Sequence, residues 1–369
     1  MKKRPYLPLE GIVVVDFSRF LPGPLCTLYL AELGARVVKI EEPTQGDYTR
    51  HIPPLLGHHG SYFTMLNRDK ESIGVNLKAD EGQEVARRLI SKADVLIENF
   101  RPGVMKKLGL DYETLSHRSP RLIYCSITGF GQEGPWSHLA GHDPNYAALS
   151  GILDTIGSHD APPTFPGVQI ADLCGGTFPA AIAILGALLY RERSGEGTFL
   201  DISMTDGSIA AMIMLLGAHF ATGRDLKRGS EYVTGKIPQC SAYRTADNRY
   251  MAVVALEEKF WRRFCKVMGI PEWKDCFIDS EKAQDPDKLK VLRQTLERRF
   301  AEKPLKEWVK IFEKEDACAS PILTTTEALN SSHVKHRELI FYLEKDGFKI
   351  PQVALPTGRK GRTTHTPPP

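Results

Sequence analysis

Residues 140–151 read AGHDPNYAALSG and hold the chain's most compact cluster of proton-handling groups. An imidazole titrates near neutrality, so His142 is a candidate general base. Asp143, set just before Pro144, suits a helix N-cap followed by proline at the first helical position. Capping accounts for Asp143 and leaves His142 open to chemistry. A second candidate is Asp172 in ADLCGG, where two glycines follow the carboxylate. Such glycines expose backbone N–H groups at a helix start. That pairing suits a carboxylate nucleophile, or an acid/base beside an oxyanion site. A plain helix cap would leave the same trace.

Bulk composition narrows the setting. The chain has 369 residues, of which 42% are hydrophobic and 25% charged, an ordinary globular balance with room for two or three domains. Its 48 basic and 45 acidic residues leave a net charge of +3, too balanced to point to nucleic acid or to an anionic membrane surface. The seven cysteines are scattered and include no Cys-x-x-Cys pair. A reduced, cytoplasmic protein without disulfide framework or metal site is therefore expected. MKKRPYLPLEG carries charge but no apolar run behind it, unlike a signal peptide. The stretch FPAAIAILGALLY (178–190) is shorter than a membrane span needs and reads as a core helix.

These residues need a scaffold, and the first 205 residues supply an alternating one. GIVVVDFS (11–18), RVVKIEE (36–42), DVLIENF (94–100), RLIYCSITGFG (121–131), VQIADL (168–173) and TFLDISMTD (198–206) read as strands. Helical spacing marks 24–34, 79–93 and 175–195 between them. Such alternation predicts a parallel sheet flanked by helices, with ligands at the carboxyl ends of the strands. SRFLPGP, ENFRPG, TGFGQEGP and Asp172 all fall at those ends. A helical run over 206–224 connects to a smaller α+β domain at 225–330. That domain should contain a hairpin (243–256, turn at Asp247-Asn248), helices near 285–302 and 304–315, and a strand with a short helix within 317–329. Residues 331–369 return to the large domain with one strand. Trp261 and Phe260 read as core, and the His51, His58 and His59 loop shows no metal-ligand spacing.

Taken together, DFSRFLPGP, LGARVVKIE, NRDKESIGVNLKADEG, ADVLIENFRPGV and SITGFGQEGP resemble, in order and spacing, the family III CoA-transferase superfamily, which includes α-methylacyl-CoA racemase. The resemblance runs from about residue 9 to 360. AGHDPNY matches the racemase pattern at Gly141, His142, Asp143, Asn145 and Tyr146. ADLCGG matches at Asp172, and VVALEEKFW matches at Glu257. Formyl-CoA-type transferases share the Asp as nucleophile and carry a glycine-run loop that has no counterpart before YRTADNRY.

The resemblance implies a Rossmann-like large domain, a smaller domain and an interlocked homodimer acting on acyl-CoA, with no cofactor beyond the CoA moiety of the substrate. It implies racemase-type transfer of an α-proton between His142, oriented by Glu257, and Asp172, with the enolate oxygen held by backbone N–H groups near Asp172 and Leu173. The alternative is a CoA-transferase working through an Asp172 aspartyl-CoA intermediate. The implied CoA contacts are Phe20, Leu21, Asn67, Arg68, Lys70, Asn99, Phe100, Arg101 and Lys107. Glu42 stands where relatives often place an arginine, so Lys39, Arg68, Lys70, Arg101 or Lys107 would supply that charge. The chain stops at RTTHTPPP, where family members usually continue into a Leu-Gly-Glu-His segment.

Overall fold

Six short strands, rich in Val and Ile, build one all-parallel sheet: β1 (Val13–Asp16), β2 (Arg36–Glu41), β3 (Lys70–Gly74), β4 (Val95–Glu98), β5 (Ile123–Thr128) and β6 (Thr198–Ser203). Their order is β3-β2-β1-β4-β5-β6, with every neighbouring pair parallel. Every residue of β4 and β5 is buried, as central strands covered on both faces should be. Strand order reverses between β1 and β4, which opens a crevice at their carboxyl ends. The computed structural model describes residues 6–277, 285–357 and 364–369.

The chain divides into two units. The larger comprises Met1–Leu153, Pro166–Ile213 and Ser332–Pro369, and the smaller Asp154–Phe165 and Met214–Ser331. This differs from the expected division. Residues 154–165 lie with the smaller unit because Arg228 binds the Asp154 carboxylate and carbonyl and the Ala161 carbonyl. The run 206–224 is two helices, Met204–Ala211 and Ile213–Thr222, rather than one connector.

Helices α1 (Pro22–Glu32), α2 (Asp80–Ile90), α3 (Asp143–Leu149), α4 (Phe178–Ser194) and α5 (Met204–Ala211) flank the sheet or its crevice. The stretch 168–173 is not a strand. Residues Ala171–Thr177 are π-helical and run directly into α4. The cause is close backbone contact: a Cβ on Gly175 would stand 2.0 Å from the Met204 carbonyl oxygen, and one on Gly207 would stand 2.5 Å from the Gly175 Cα. Two facing glycines let the widened turn sit against α5. The joined helix Ala171–Ser194 is 24 residues, long and apolar enough to span a membrane, so the length argument from the sequence does not hold. Only part of it is core: Ala180, Ile184, Ala187, Leu188 and Arg191 are buried, whereas Phe178, Ile182, Leu189 and Tyr190 are exposed. Strand β3 escapes a pattern reading because it is an edge strand of polar sequence, with four of its five residues exposed.

In the smaller unit, β7 (Cys240–Arg244) and β8 (Tyr250–Val254) form the expected hairpin, joined by β9 (Ala319–Pro321). Asn248 takes the left-handed conformation its turn requires (φ 60°). Helices α6 (Glu258–Met268), α7 (Pro286–Phe300) and α8 (Leu305–Phe312) cover this sheet. Trp261, Phe264, Phe300 and Phe312 form their aromatic core, as expected for Trp261, with Phe260 at its margin. The return segment holds two strands rather than one, β10 (Ile340–Lys345) and β11 (Phe348–Val353), turned by Asp346-Gly347 with both φ positive.

Candidate active site

The crevice at the switch in strand order becomes a cavity of about 250 Å³ lined by the loops after β1, β4 and β5 together with His142, Tyr146, Asp172 and Met204. Phe20, Phe100 and Arg101 stand on its wall. His142 and Asp172, far apart in sequence, thus face one space.

Local structure places both. His142, not Asp143, is the N-cap of α3, and its backbone N–H donates to Asn145 Oδ1 at 3.0 Å. The imidazole stands roughly perpendicular to the Phe20 ring, with ring centroids 6.1 Å apart. Phe20 itself has φ 63°, a left-handed conformation that costs a bulky residue and persists only under strong local constraint. Asp143 is buried and its carboxylate accepts the backbone N–H of Asp172 at 3.0 Å. Burial first, and then the Asp143 charge, push the Asp172 carboxyl up to about 7. Near neutrality it holds its proton for a substantial part of the time. Replacing Asp143 by Asn removes a negative neighbour, so the charged form of Asp172 is less disfavoured. The Asp172 titration should then move to lower pH while staying above the ordinary carboxylate range, because burial remains. A ¹³C NMR titration of the Asp172 carboxyl in Asp143→Asn checks this.

The oxyanion site expected from backbone N–H groups is already in use. The Asp172 N–H goes to Asp143, and the Leu173 N–H goes to the Gln169 carbonyl at 3.0 Å. A different donor belongs to a residue that lines the cavity. Thr128, at the end of β5, carries a buried hydroxyl without a hydrogen-bond partner among the described residues.

Several residues expected to hold a ligand are internal. Lys39 is 1% exposed; it donates to the Ser18 carbonyl at 2.7 Å and pairs with Asp47 at 3.1 Å. Lys70 donates to the Pro24 carbonyl and Asn67 Oδ1, with Asp16 at 3.4 Å. Asn67 is fully buried and donates to the Phe63 carbonyl. Arg68 is 1% exposed and pairs with Glu32 at 2.9 Å. Charges out of water must be satisfied internally: Lys39 and Lys70 are spent holding the loop 18–24 through the Ser18 and Pro24 carbonyls, and Arg68 is spent on Glu32 of α1. Asp16 completes that support by accepting from the Ser18 N–H and hydroxyl and the Thr27 hydroxyl.

A sequence model of CoA-transferase family III matches residues 9–369. The chain belongs to that family. It is 35% identical to an acetyl-CoA:oxalate CoA-transferase of Acetobacter aceti over 94% of this chain and 88% of that one. It is 38% identical to human α-methylacyl-CoA racemase over 90% of this chain and 82% of that one. A solved CAIB/BAIF family protein from Brucella suis, at 32% identity, superposes with a TM-score of 0.80 over 95% of this chain and 92% of that one. The α/β architecture with its parallel sheet is thus the family's, and the family is enzymatic. Transferases and racemases stand at similar identity.

Among the remaining family-implied residues, Leu21 is the N-cap of α1 and does not line the cavity. Asn99 spends its amide on the backbone of Arg19, and Lys107 is exposed on a short helix. Arg101 donates to the His138 carbonyl at 2.8 Å. Glu257 lies in the smaller unit as the N-cap of α6, exposed and paired with Lys259 at 3.1 Å. His58 and His59 stand with Asp346, His59 Nε2 being 3.2 Å from its carboxylate. The distance of Asp346 along the chain hid that grouping from a spacing argument. Asp143 was missed as a partner of Asp172 because capping explained it.

Proposed function

We propose that this family III enzyme epimerises a 2-methylacyl-CoA by moving the α-proton between two bases, His142 and Asp172. The observation that carries this reading is their shared cavity, with one carboxyl raised to about 7. An α-proton of a thioester is a weak acid, so its removal needs a positioned base and a stabilised enolate oxygen. In one direction His142 takes the proton from one face, and protonated Asp172 returns one to the other. In reverse the roles exchange. Groups resting in opposite protonation states are what inversion requires.

The Thr128 hydroxyl serves as donor to the enolate oxygen, since the backbone donors near Asp172 are taken. Thr128→Val keeps the shape and removes the donor. It is expected to lower kcat by about 10²-fold with little change in KM, read in steady-state epimerisation. Glu257 is assigned the orienting role the family resemblance gives it, contributed by a second copy. A homodimer is supported by the exposed Phe178, Ile182, Leu189 and Tyr190 on α4.

A second reading is favoured by the transferase relatives. Asp172 carboxylate attacks the thioester carbonyl, CoA thiolate leaves and a mixed anhydride forms. The thiolate then attacks the aspartyl carbonyl, releasing the acyl carboxylate and leaving an aspartyl-CoA thioester. Intact-protein mass spectrometry after incubation with acyl-CoA and borohydride separates the two readings. The proton-transfer reading expects unmodified protein. Reduction or CoA addition mapped to Asp172 would replace it with the transferase.

A further inference from the structure

We propose that Arg19 binds a phosphate of the acyl-CoA at the rim of the cavity, a role that rests on the acyl-CoA reading above. The cavity of about 250 Å³ has room for the acyl-thioester end and leaves the nucleotide end outside, along the loops that form its mouth. Polyanionic phosphates need a cation there. Lys39, Arg68 and Lys70 are buried in internal pairs and cannot serve. Arg19 is placed differently. Its backbone N–H donates to Asn99 Oδ1, and Asn99 Nδ2 donates to its carbonyl, both at 2.9 Å. The guanidinium lies over two rings, 5.3 Å from the centroid of Tyr48 and 5.3 Å from that of Phe100. One Nη also reaches the Tyr48 hydroxyl at 3.4 Å.

No carboxylate among the described residues pairs with Arg19. Its charge is therefore unneutralised, its pose is fixed before ligand arrives, and the N–H groups that do not reach Tyr48 stay open. Stacking on aromatic faces leaves the planar fork free for two parallel hydrogen bonds to phosphate oxygens. Phe20, next in the chain, and Phe100 both line the cavity, so a ligand held at Arg19 is continuous with one in the cavity. The buried Lys39, Lys70 and Asp16 network then has a purpose: it fixes the loop on which Arg19 stands.

The test is calorimetric binding of CoA, dephospho-CoA and pantetheine to wild type, Arg19→Gln and Arg19→Lys, with no turnover involved. Arg19→Gln should weaken CoA by about 10- to 100-fold and leave pantetheine unchanged. Arg19→Lys should fall between, keeping charge but losing the fork. A penalty that persists with dephospho-CoA assigns the diphosphate, and one that disappears assigns the 3′-phosphate; both uphold the proposal. Unchanged CoA affinity in Arg19→Gln, or an equal loss on pantetheine, overturns it. A wild type that binds no CoA overturns both this proposal and the acyl-CoA reading. CoA binding without epimerisation overturns only the proton-transfer mechanism.

Discussion

Asp172→Asn should abolish epimerisation, lowering kcat by about 10³-fold or more, and at the same time stabilise the protein at alkaline pH. The loss follows from the role: general acid–base groups contribute about 10²- to 10⁴-fold, and inversion has no second route to the face Asp172 serves. The stability gain follows from the raised carboxyl. In the folded protein burial and the Asp143 charge hold Asp172 near 7, against an ordinary value of 3.8 when unfolded. Between those values the folded state binds more protons than the unfolded one, so stability falls as pH rises through this window. Above about 7 the full cost of burying the charge is present. Asparagine carries no charge to bury. The melting temperature of Asp172→Asn should therefore exceed that of wild type most clearly at pH 8 and lose that advantage near pH 4. Differential scanning calorimetry at the two pH values reads this directly. Equal differences at both would show that Asp172 is ionised in the fold at low pH.

His142→Ala should divide the reaction rather than end it. With one base gone, Asp172 can still remove and return the proton on its own face. The enantiomer whose α-proton faces Asp172 should exchange with solvent and keep its configuration. The other enantiomer should lose exchange by about 10²-fold or more, and epimerisation should vanish for both. Because His142 is exposed at a helix N-cap, and its backbone N–H, which alanine keeps, donates to Asn145 Oδ1, the variant should fold normally. Following each pure enantiomer in D₂O measures the asymmetry. Equal exchange of both enantiomers would remove His142 from the mechanism.

Much of the scaffold is written in local pattern. Runs such as VVVD and IYCSIT are mostly apolar because their strands are covered on both faces, and the Asp247-Asn248 turn announces its hairpin. Where the reading failed, long-range contacts decided. Residues 168–173 alternate too briefly to be a strand, and the pairing of Gly175 with Gly207 makes the segment helical. KESIG hides a strand because an edge needs no apolar face. Asp346-Gly347, with both φ positive, is the turn signal of the second return-segment strand.

The site divides the same way. His142 and Asp172 stand out by residue type, and the structure brings them to one cavity. Charge alone, however, does not tell a phosphate ligand from a buried brace. Arg68 and Lys70 read as surface cations, yet Glu32 and Asp16, distant in sequence, hold them inside. Arg19 drew no notice because its value lies in Asn99, Tyr48 and Phe100, three residues from two other loops.

The central claim is proton transfer at the α-carbon, and one measurement meets it directly. A single enantiomer of a 2-methylacyl-CoA is incubated with the protein in D₂O, with no carboxylic acid added, and the α-hydrogen is followed by NMR together with chirality. The account predicts deuterium at the α-carbon with loss of configuration; Asp172→Asn should abolish the loss of configuration for either enantiomer and leave exchange only for the one whose α-proton faces His142. Retained protium and configuration, with CoA passing to succinate once that acid is added, would contradict it.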